Sequence, residues 1–482
     1  MSTRRALFFS FLDRYSGLVL AVLSSIAIAR LLKPEEIGVF SVAMAMLAFA
    51  ATLRDMGAGQ YLVQTQEVTA AHIKAVWTLQ FFAGVVLALV LTALAYPMAA
   101  LYKEPRLTPI IGVMALTYLV TPFGSVTYAL LMRDMRFQHV AVMRFAAGLV
   151  GSVVSVGLAF DGLGPISLAW GQLAASCTTA VVSQLYRRTG QPWGFSLKGA
   201  REVLGFGSFM TGTSLVSTFA SGMPDFALGK FQDMTAAGLY SRSNGLVAMF
   251  HRLMTDAVSG VALAHFAKGK RDSTDPSPDF LRAIHYLVTL NTAFAVCMVA
   301  LAEPVTRVLY GNQWGDSVEL TRWLALAAVF FSPQPVCAAL IIGCGRADLM
   351  LKATLTSGTI LIVATLAGAW FGLRELGVAL VLANMACSAI WLTAARQVCS
   401  FRLNDIYKTM FSSVITAILS CIPLLIFTYW AGPTPNNALL TTVFAIPIFI
   451  VGLIGAILIT KHPLANDMRN FITRYIPGST RG

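Results

Sequence analysis

Ile28-Ala-Arg-Leu-Leu-Lys-Pro-Glu-Glu-Ile-Gly-Val-Phe-Ser41 lies between two apolar runs, 18–32 and 37–51, and its reading decides the fold. Pro34 ends the first run as a helix, because a proline pushes the residue before it out of the right-handed helical region. Pro34, Glu35 and Glu36 then open the next helix, with proline early and acids at the positive end of the dipole. The product is a helical hairpin with a polar tip. A weaker copy, Gly229-Lys-Phe-Gln-Asp-Met-Thr-Ala-Ala-Gly-Leu-Tyr-Ser241, follows later in the chain. It keeps a basic residue before the turn (Arg30, Lys230) and repeats Gly38-Val-Phe-Ser41 as Gly238-Leu-Tyr-Ser241. The chain reads as two copies of one bundle, a plan many transporters share.

Composition agrees. Of 482 residues 57% are hydrophobic and 12% charged, against about 25% charged in a soluble domain. A mean hydropathy of +0.71 therefore describes lipid-facing surface. Fourteen apolar spans can be marked, at roughly 9–32, 36–62, 71–100, 107–132, 138–160, 164–186, 203–230, 235–264, 281–308, 317–344, 348–371, 376–397, 407–430 and 437–460. The fold class is thus an all-α integral membrane protein. An even count puts both termini on one side. Lys and Arg concentrate in the loops of that side, so both termini are expected in the cytoplasm. The net charge of +13 is read as orientation and not as a nucleic-acid surface. The helix-one run is too long for a signal-peptide core and is expected to be retained.

Six spans precede the basic connector 187–202 and six follow it to about residue 400, so the two copies have parallel topology. The expected domains are 1–200, 201–400, and 401–482 with two appended helices and a basic tail. Within that tail, 466–476 reads either as an amphipathic interfacial helix or as disordered chain. The seven cysteines form no C-x-x-C pair and the six histidines no ligand spacing, so no disulfide framework, metal or cofactor is expected. Most tryptophans, among them Trp77, Trp170, Trp314 and Trp430, lie near span ends and read as an interfacial belt.

Charges inside apolar spans are costly and so mark function by default. They are Asp13 and Arg14 in span one, Arg54 and Asp55 in span two, Arg144 in span five, Asp225 in span seven, and Arg242, Arg252 and Asp256 in span eight. Two readings stand side by side. Asp13 with Arg54, Arg14 with Asp55, and Arg252 with Asp256 form structural pairs; or the arginines face a cavity and hold an anion, since guanidinium stays charged and grips phosphate in a bidentate way. Arg144 and Arg242 have no acid within a turn or two along their own spans. Asp13, Asp55, Asp225 and Asp256 are the candidates for ion coupling. Glu303, Arg307 and Arg322 are expected to reach the outer interface.

Five stretches carry a family resemblance: Ala29–Phe40 after span one, Arg54-Asp-Met-Gly-Ala-Gly-Gln60 in span two, Met132-Arg-Asp-Met-Arg-Phe137 between spans four and five, Tyr310-Gly-Asn-Gln-Trp314, and Ile341-Ile-Gly-Cys-Gly-Arg346. In their order and spacing the chain resembles the Wzx-like polysaccharide transporters of the multidrug/oligosaccharidyl-lipid/polysaccharide flippase superfamily, over roughly residues 5–400. The resemblance implies two six-helix lobes in a V around a central cavity. It implies a flippase, not an enzyme, moving an undecaprenyl-pyrophosphate-linked oligosaccharide across the inner membrane for lipopolysaccharide or exopolysaccharide synthesis. An H⁺ or Na⁺ gradient would drive it, with a polysaccharide polymerase and chain-length machinery as further partners. By location alone, Arg14, Arg54, Arg144 and Arg242 are the positions the resemblance assigns to the pyrophosphate. A lipid II flippase or an ion-coupled drug or cation exporter is the alternative within the superfamily. A membrane polymerase is the alternative outside it, and the short outer loops oppose that.

Overall fold

An apolar run crossing hydrocarbon leaves each backbone group no partner but its own chain, so each run closes into a helix. The computed structural model of the chain describes residues 3–55, 57–187, 194–272, 275–431, 438–460 and 462–465. Of these it describes the backbone alone at 3–15, 206–210, 252–254, 256–261, 264, 403, 431 and 438. The segment 466–476 and the side chains of Asp13, Arg14, Arg252 and Asp256 lie outside the described residues.

Seventeen α-helices are described: α1 Thr3–Leu31, α2 Pro34–Asp55, α3 Ala58–Gln64, α4 Ala70–Tyr102, α5 Leu107–Val120, α6 Pro122–Arg133, α7 Phe137–Phe160, α8 Ile166–Leu185, α9 Ala200–Phe231, α10 Met234–Arg271, α11 Ser277–Tyr310, α12 Ser317–Phe331, α13 Gln334–Gly343, α14 Ala347–Phe371, α15 Leu373–Arg396, α16 Leu403–Ala431 and α17 Ala438–Ile459. Among the described residues ten helical segments are long and apolar enough to cross a membrane, and the bent pair α5–α6 makes an eleventh. With α1, α9 and α10 the count reaches the fourteen expected spans.

Three of those spans are not continuous. Span two breaks at Gly57, which takes φ 66. Span four bends by 52° before Pro122, and span ten is interrupted between Phe331 and Gln334, at Ser332-Pro333. Hydropathy averaged over a window does not register such breaks; a proline deprives the ladder of one N–H and crowds the preceding turn. The pattern recurs along the chain. Lys103 and Met135 in the first half take positive φ, as do Gly311 and Gly345 in the second.

Contacts divide the chain into two units, Met1–Ser241 and Arg242–Gly482. In the first, α7 packs on α1 and α8, α4 on α5, and α2 on α9. Arg133, at the end of α6, donates to the carbonyls of Leu62, Thr65 and Gln66, holding the end of α3. In the second, Phe266, Phe280, Ile284, Leu340 and Ala395 form a core joining α10, α11, α13 and α15. Trp77 and Trp314 are core residues at 8% and 0% exposure, which corrects the belt reading for those two; Trp170 and Trp430 are exposed, at 40% and 84%. Glu303 and Arg307 pair at 2.8 Å, and Arg322 Nε donates to the Val299 carbonyl.

The appended helices are fastened to α11 by a histidine. His462, just beyond α17 and 1% exposed, accepts at Nδ1 from the Leu464 N–H. Its Nε2 is then the protonated nitrogen and donates to Thr289 Oγ1 at 2.9 Å. Burial, with His285 at 4.0 Å between ring centroids, pushes the His462 imidazole down from its ordinary 6.5 to about 4. A histidine held neutral in the folded state contributes stability that is complete above 6.5 and is lost as pH falls towards 4. Hydrogen exchange of α17 should therefore rise across that window in the natural protein. It should stay flat in His462→Gln; a flat profile in both would refute this account.

Candidate functional site

The break at Gly57 places a charged pair at the end of α2. Glycine is needed there because the left-handed conformation crowds any Cβ. Asp55 ends α2, and α3 starts anew at Ala58. The Arg54 guanidinium lies over the ring of Tyr118 on α5, 5.6 Å from the centroid. Tyr118 is 3% exposed, and its hydroxyl donates to the Leu47 carbonyl. The ring is thus fixed beneath the cation, an arrangement worth about 0.5–2 kcal/mol depending on desolvation. Among the described residues no carboxylate comes within ion-pair distance of Arg54. Asp55 acts on it through space, and Asp55 Oδ1 is turned towards Gly59, 3.7 Å from where a Cβ would sit there.

Above the pair opens a cavity of about 340 Å³. Thr52, Arg54, Asp55 and Gln60 line it from the α2–α3 segment, and Thr211 and Ser214 from α9. Thr52 Oγ1 and Thr218 Oγ1 lie 3.1 Å apart, joining the two walls. Thr211 Oγ1 is buried with no hydrogen-bond partner among the described residues. One guanidinium, three hydroxyls and a carboxamide therefore line a space at the lower end of ligand pockets, which run about 300–1,000 Å³. That donor set suits an anion carrying hydroxyl groups. It leaves Asp55 as the acceptor within the same wall.

The other sequence candidates lie elsewhere. Arg144 is exposed on α7, one turn from Gly148, whose open face meets Leu20 of α1 at 3.3 Å. It does not line the cavity. Arg242 belongs to the second unit, half-buried beside Tyr310. Asp225, on α9, lies beside Ser41 of α2. His251, on α10, bridges Asn291 Oδ1 and Thr255 Oγ1 at 3.0 and 2.9 Å. Sequence reasoning missed Thr211 and Ser214. A hydroxyl in an apolar helix ordinarily bonds back to its own carbonyl ladder, and neither residue carries a charge to set it apart.

A family model described as "Polysaccharide biosynthesis protein" matches residues 27–319. Over 342 residues the chain is 27% identical to the succinoglycan biosynthesis transport protein ExoT of Rhizobium meliloti (strain 1021), covering 69% of this chain and 68% of that one. It is 19% identical over 335 residues to the lipopolysaccharide biosynthesis protein WzxC of Escherichia coli (strain K12), again covering 69% and 68%. Among solved structures the fold is similar to that of the lipid II flippase MurJ in an inward closed conformation. That match has a TM-score of 0.75 at 13% identity and covers 92% of this chain and 98% of the other.

Proposed function

The chain belongs to the polysaccharide biosynthesis protein family, and on that premise we propose that it is a flippase for lipid-linked oligosaccharides. It carries the undecaprenyl-pyrophosphate-linked repeat unit of a surface polysaccharide from the cytoplasmic to the periplasmic leaflet of the inner membrane. The names of the relatives, a succinoglycan and a lipopolysaccharide biosynthesis protein, support the substrate class. One structural observation carries the site: Arg54 faces a polar cavity with no described carboxylate paired to it, which fits a diphosphate better than an organic cation.

The physics of the task fits this wall. A diphosphate and its sugars cannot enter hydrocarbon, where each unsatisfied polar group costs several kcal/mol. The isoprenoid tail needs no such shelter and stays in lipid. Arg54 takes the phosphate charge, and Thr211, Ser214 and Gln60 take phosphate or sugar oxygens. Arg144 and Arg242 act as further cationic stations, each in its own unit. The expected domain plan of two repeated six-helix lobes, with both termini cytoplasmic, supplies the two faces that alternating access requires. An ion gradient drives the cycle, and a periplasmic polymerase consumes the product.

Deletion of the gene, followed by analysis of lipid-linked sugars, tests the proposal. Repeat units should accumulate facing the cytoplasm and the surface polysaccharide should disappear. Repeat units still reaching the outer leaflet would overturn it.

A further inference from the structure

The two hairpin copies recognised in the sequence meet in space. A Cβ on Gly38 would lie 1.7 Å from the Met234 carbonyl oxygen and 2.9 Å from the Gly238 nitrogen. A Cβ on Gly238 would lie 1.9 Å from the Pro34 carbonyl oxygen and 2.9 Å from the Gly38 nitrogen. The first turns of α2 and α10 thus touch backbone to backbone, each glycine against the opening residue of the other helix. α9 continues the seam. Gly229 approaches Val42 and Tyr102, and Gly222 approaches Ala45, leaving 2.9 and 3.2 Å for a Cβ.

Into this seam points one acid, Asp225. Its Oδ1 is sealed from solvent and has no hydrogen-bond partner among the described residues. Across the seam it lies beside the Ser41 hydroxyl. That hydroxyl has a single proton, within reach of both the Gly38 carbonyl at 3.0 Å and the Asp225 carboxyl. Turned to Asp225, that proton serves one carboxylate oxygen and leaves Oδ1 without a donor, so a bare carboxylate in the closed seam is under-satisfied. Among the described residues no cation acts on Asp225. α4 contributes Tyr102, whose hydroxyl donates to the Phe226 carbonyl. α10 contributes Tyr240. Lys230, on α9, is exposed and donates to the Leu101 carbonyl. At the mouth of the seam Glu35 is held by Arg106, and Glu36 accepts from the Lys33 N–H at 2.8 Å.

We propose that Asp225 is the proton-binding residue that couples closure of the α2–α10 glycine seam to pH. With the seam shut, Asp225 carries its proton and sits neutral beside Ser41. When it releases the proton to water, the bare carboxylate is left with an unserved oxygen in the seam, and its hydration requires the helices to part. One proton is taken up for each closure and one is released for each opening. Under the flippase reading, on which the physiological role rests, this seam is the barrier on the side away from the chain termini. The proton is then the coupling ion, and Asp225 the place where it is read.

The test needs no sugar substrate, so its failure is distinct from failure of the flippase reading. Spin labels go on Lys33→Cys and Gln232→Cys, both exposed and on opposite sides of the seam. The background has Cys177, Cys297 and Cys344 replaced by alanine, and the protein is reconstituted in lipid nanodiscs. Distances are measured from about pH 5 to about pH 9. A short-distance population should dominate at low pH and give way to a longer one as pH rises, with a ratio changing by at most about tenfold per pH unit for a single proton. Asp225→Asn, which keeps the shape of the protonated acid, should hold the short distance throughout. A distribution that ignores pH in the natural protein, or an Asp225→Asn protein that titrates like it, would overturn the proposal.

Discussion

Arg54→Ala should lower export of lipid-linked repeat units by roughly a hundredfold while leaving the protein in the membrane at near-normal abundance. Taking away the cation opposite a desolvated phosphate costs about 3 kcal/mol, which is about a hundredfold in binding. Abundance is spared because, among the described residues, Arg54 holds no ion pair. What the fold itself loses is the contact with the Tyr118 ring, worth about 0.5–2 kcal/mol. Arg54→Lys should recover part of the activity, since the charge returns without the forked donor geometry. Export assays read alongside membrane immunoblots separate the outcomes. Normal export in Arg54→Ala would remove the residue from the site, and disappearance of the protein would assign it to the fold.

Gly38→Ala should abolish export as completely, by a different route. The added methyl would sit 1.7 Å from a backbone oxygen, and backbone cannot swing aside as a side chain can. The strain exceeds the usual overpacking cost of about 1–3 kcal/mol, so the seam is forced apart. Gly238→Ala should do the same, because its methyl would meet the Pro34 carbonyl at 1.9 Å. The double variant should be no worse than either single one. Once the helices separate for the first methyl there is room for the second, so the two effects cannot add. Export and abundance, measured for all three variants, check this. An active Gly38→Ala protein would mean that the seam never needs to close, and strictly additive losses would mean that the glycines act independently.

Much of this architecture is legible in the sequence. The spans came from hydropathy, and the family from ordered stretches such as Arg54–Gln60, which also contains Gly57. The hairpin repeat came from one Gly-aliphatic-aromatic-Ser quartet, Gly38–Ser41 and Gly238–Ser241. The reading could not foresee that the two copies touch, because a repeat says that segments are alike and not that they are adjacent. It passed over the breaks at Pro122 and Pro333, since an apolar run with one proline scores like an apolar run without. Isolation from acids along one helix singles out Arg144 and Arg242, and not Arg54, which has Asp55 beside it. Whether an arginine faces a cavity depends on what the neighbouring helices bring, and here those neighbours are Tyr118 from α5 and Thr211 from α9. Asp225 was visible as an intramembrane acid. Its seat against Ser41 depends on the packing of α2 on α9, which no local pattern encodes.

The seam has one further property. Its halves are interchangeable: glycine of one helix against the opening carbonyl of the other, and the reverse. A patch that mates with itself is the mark of an isologous, two-fold interface. A half-length chain bearing a single hairpin would already own both sides of that contact and could pair with its twin through it. Joined end to end, the twins are free to drift in every other position. Here α9 has its acid while the closing surface stays a palindrome written in two glycines.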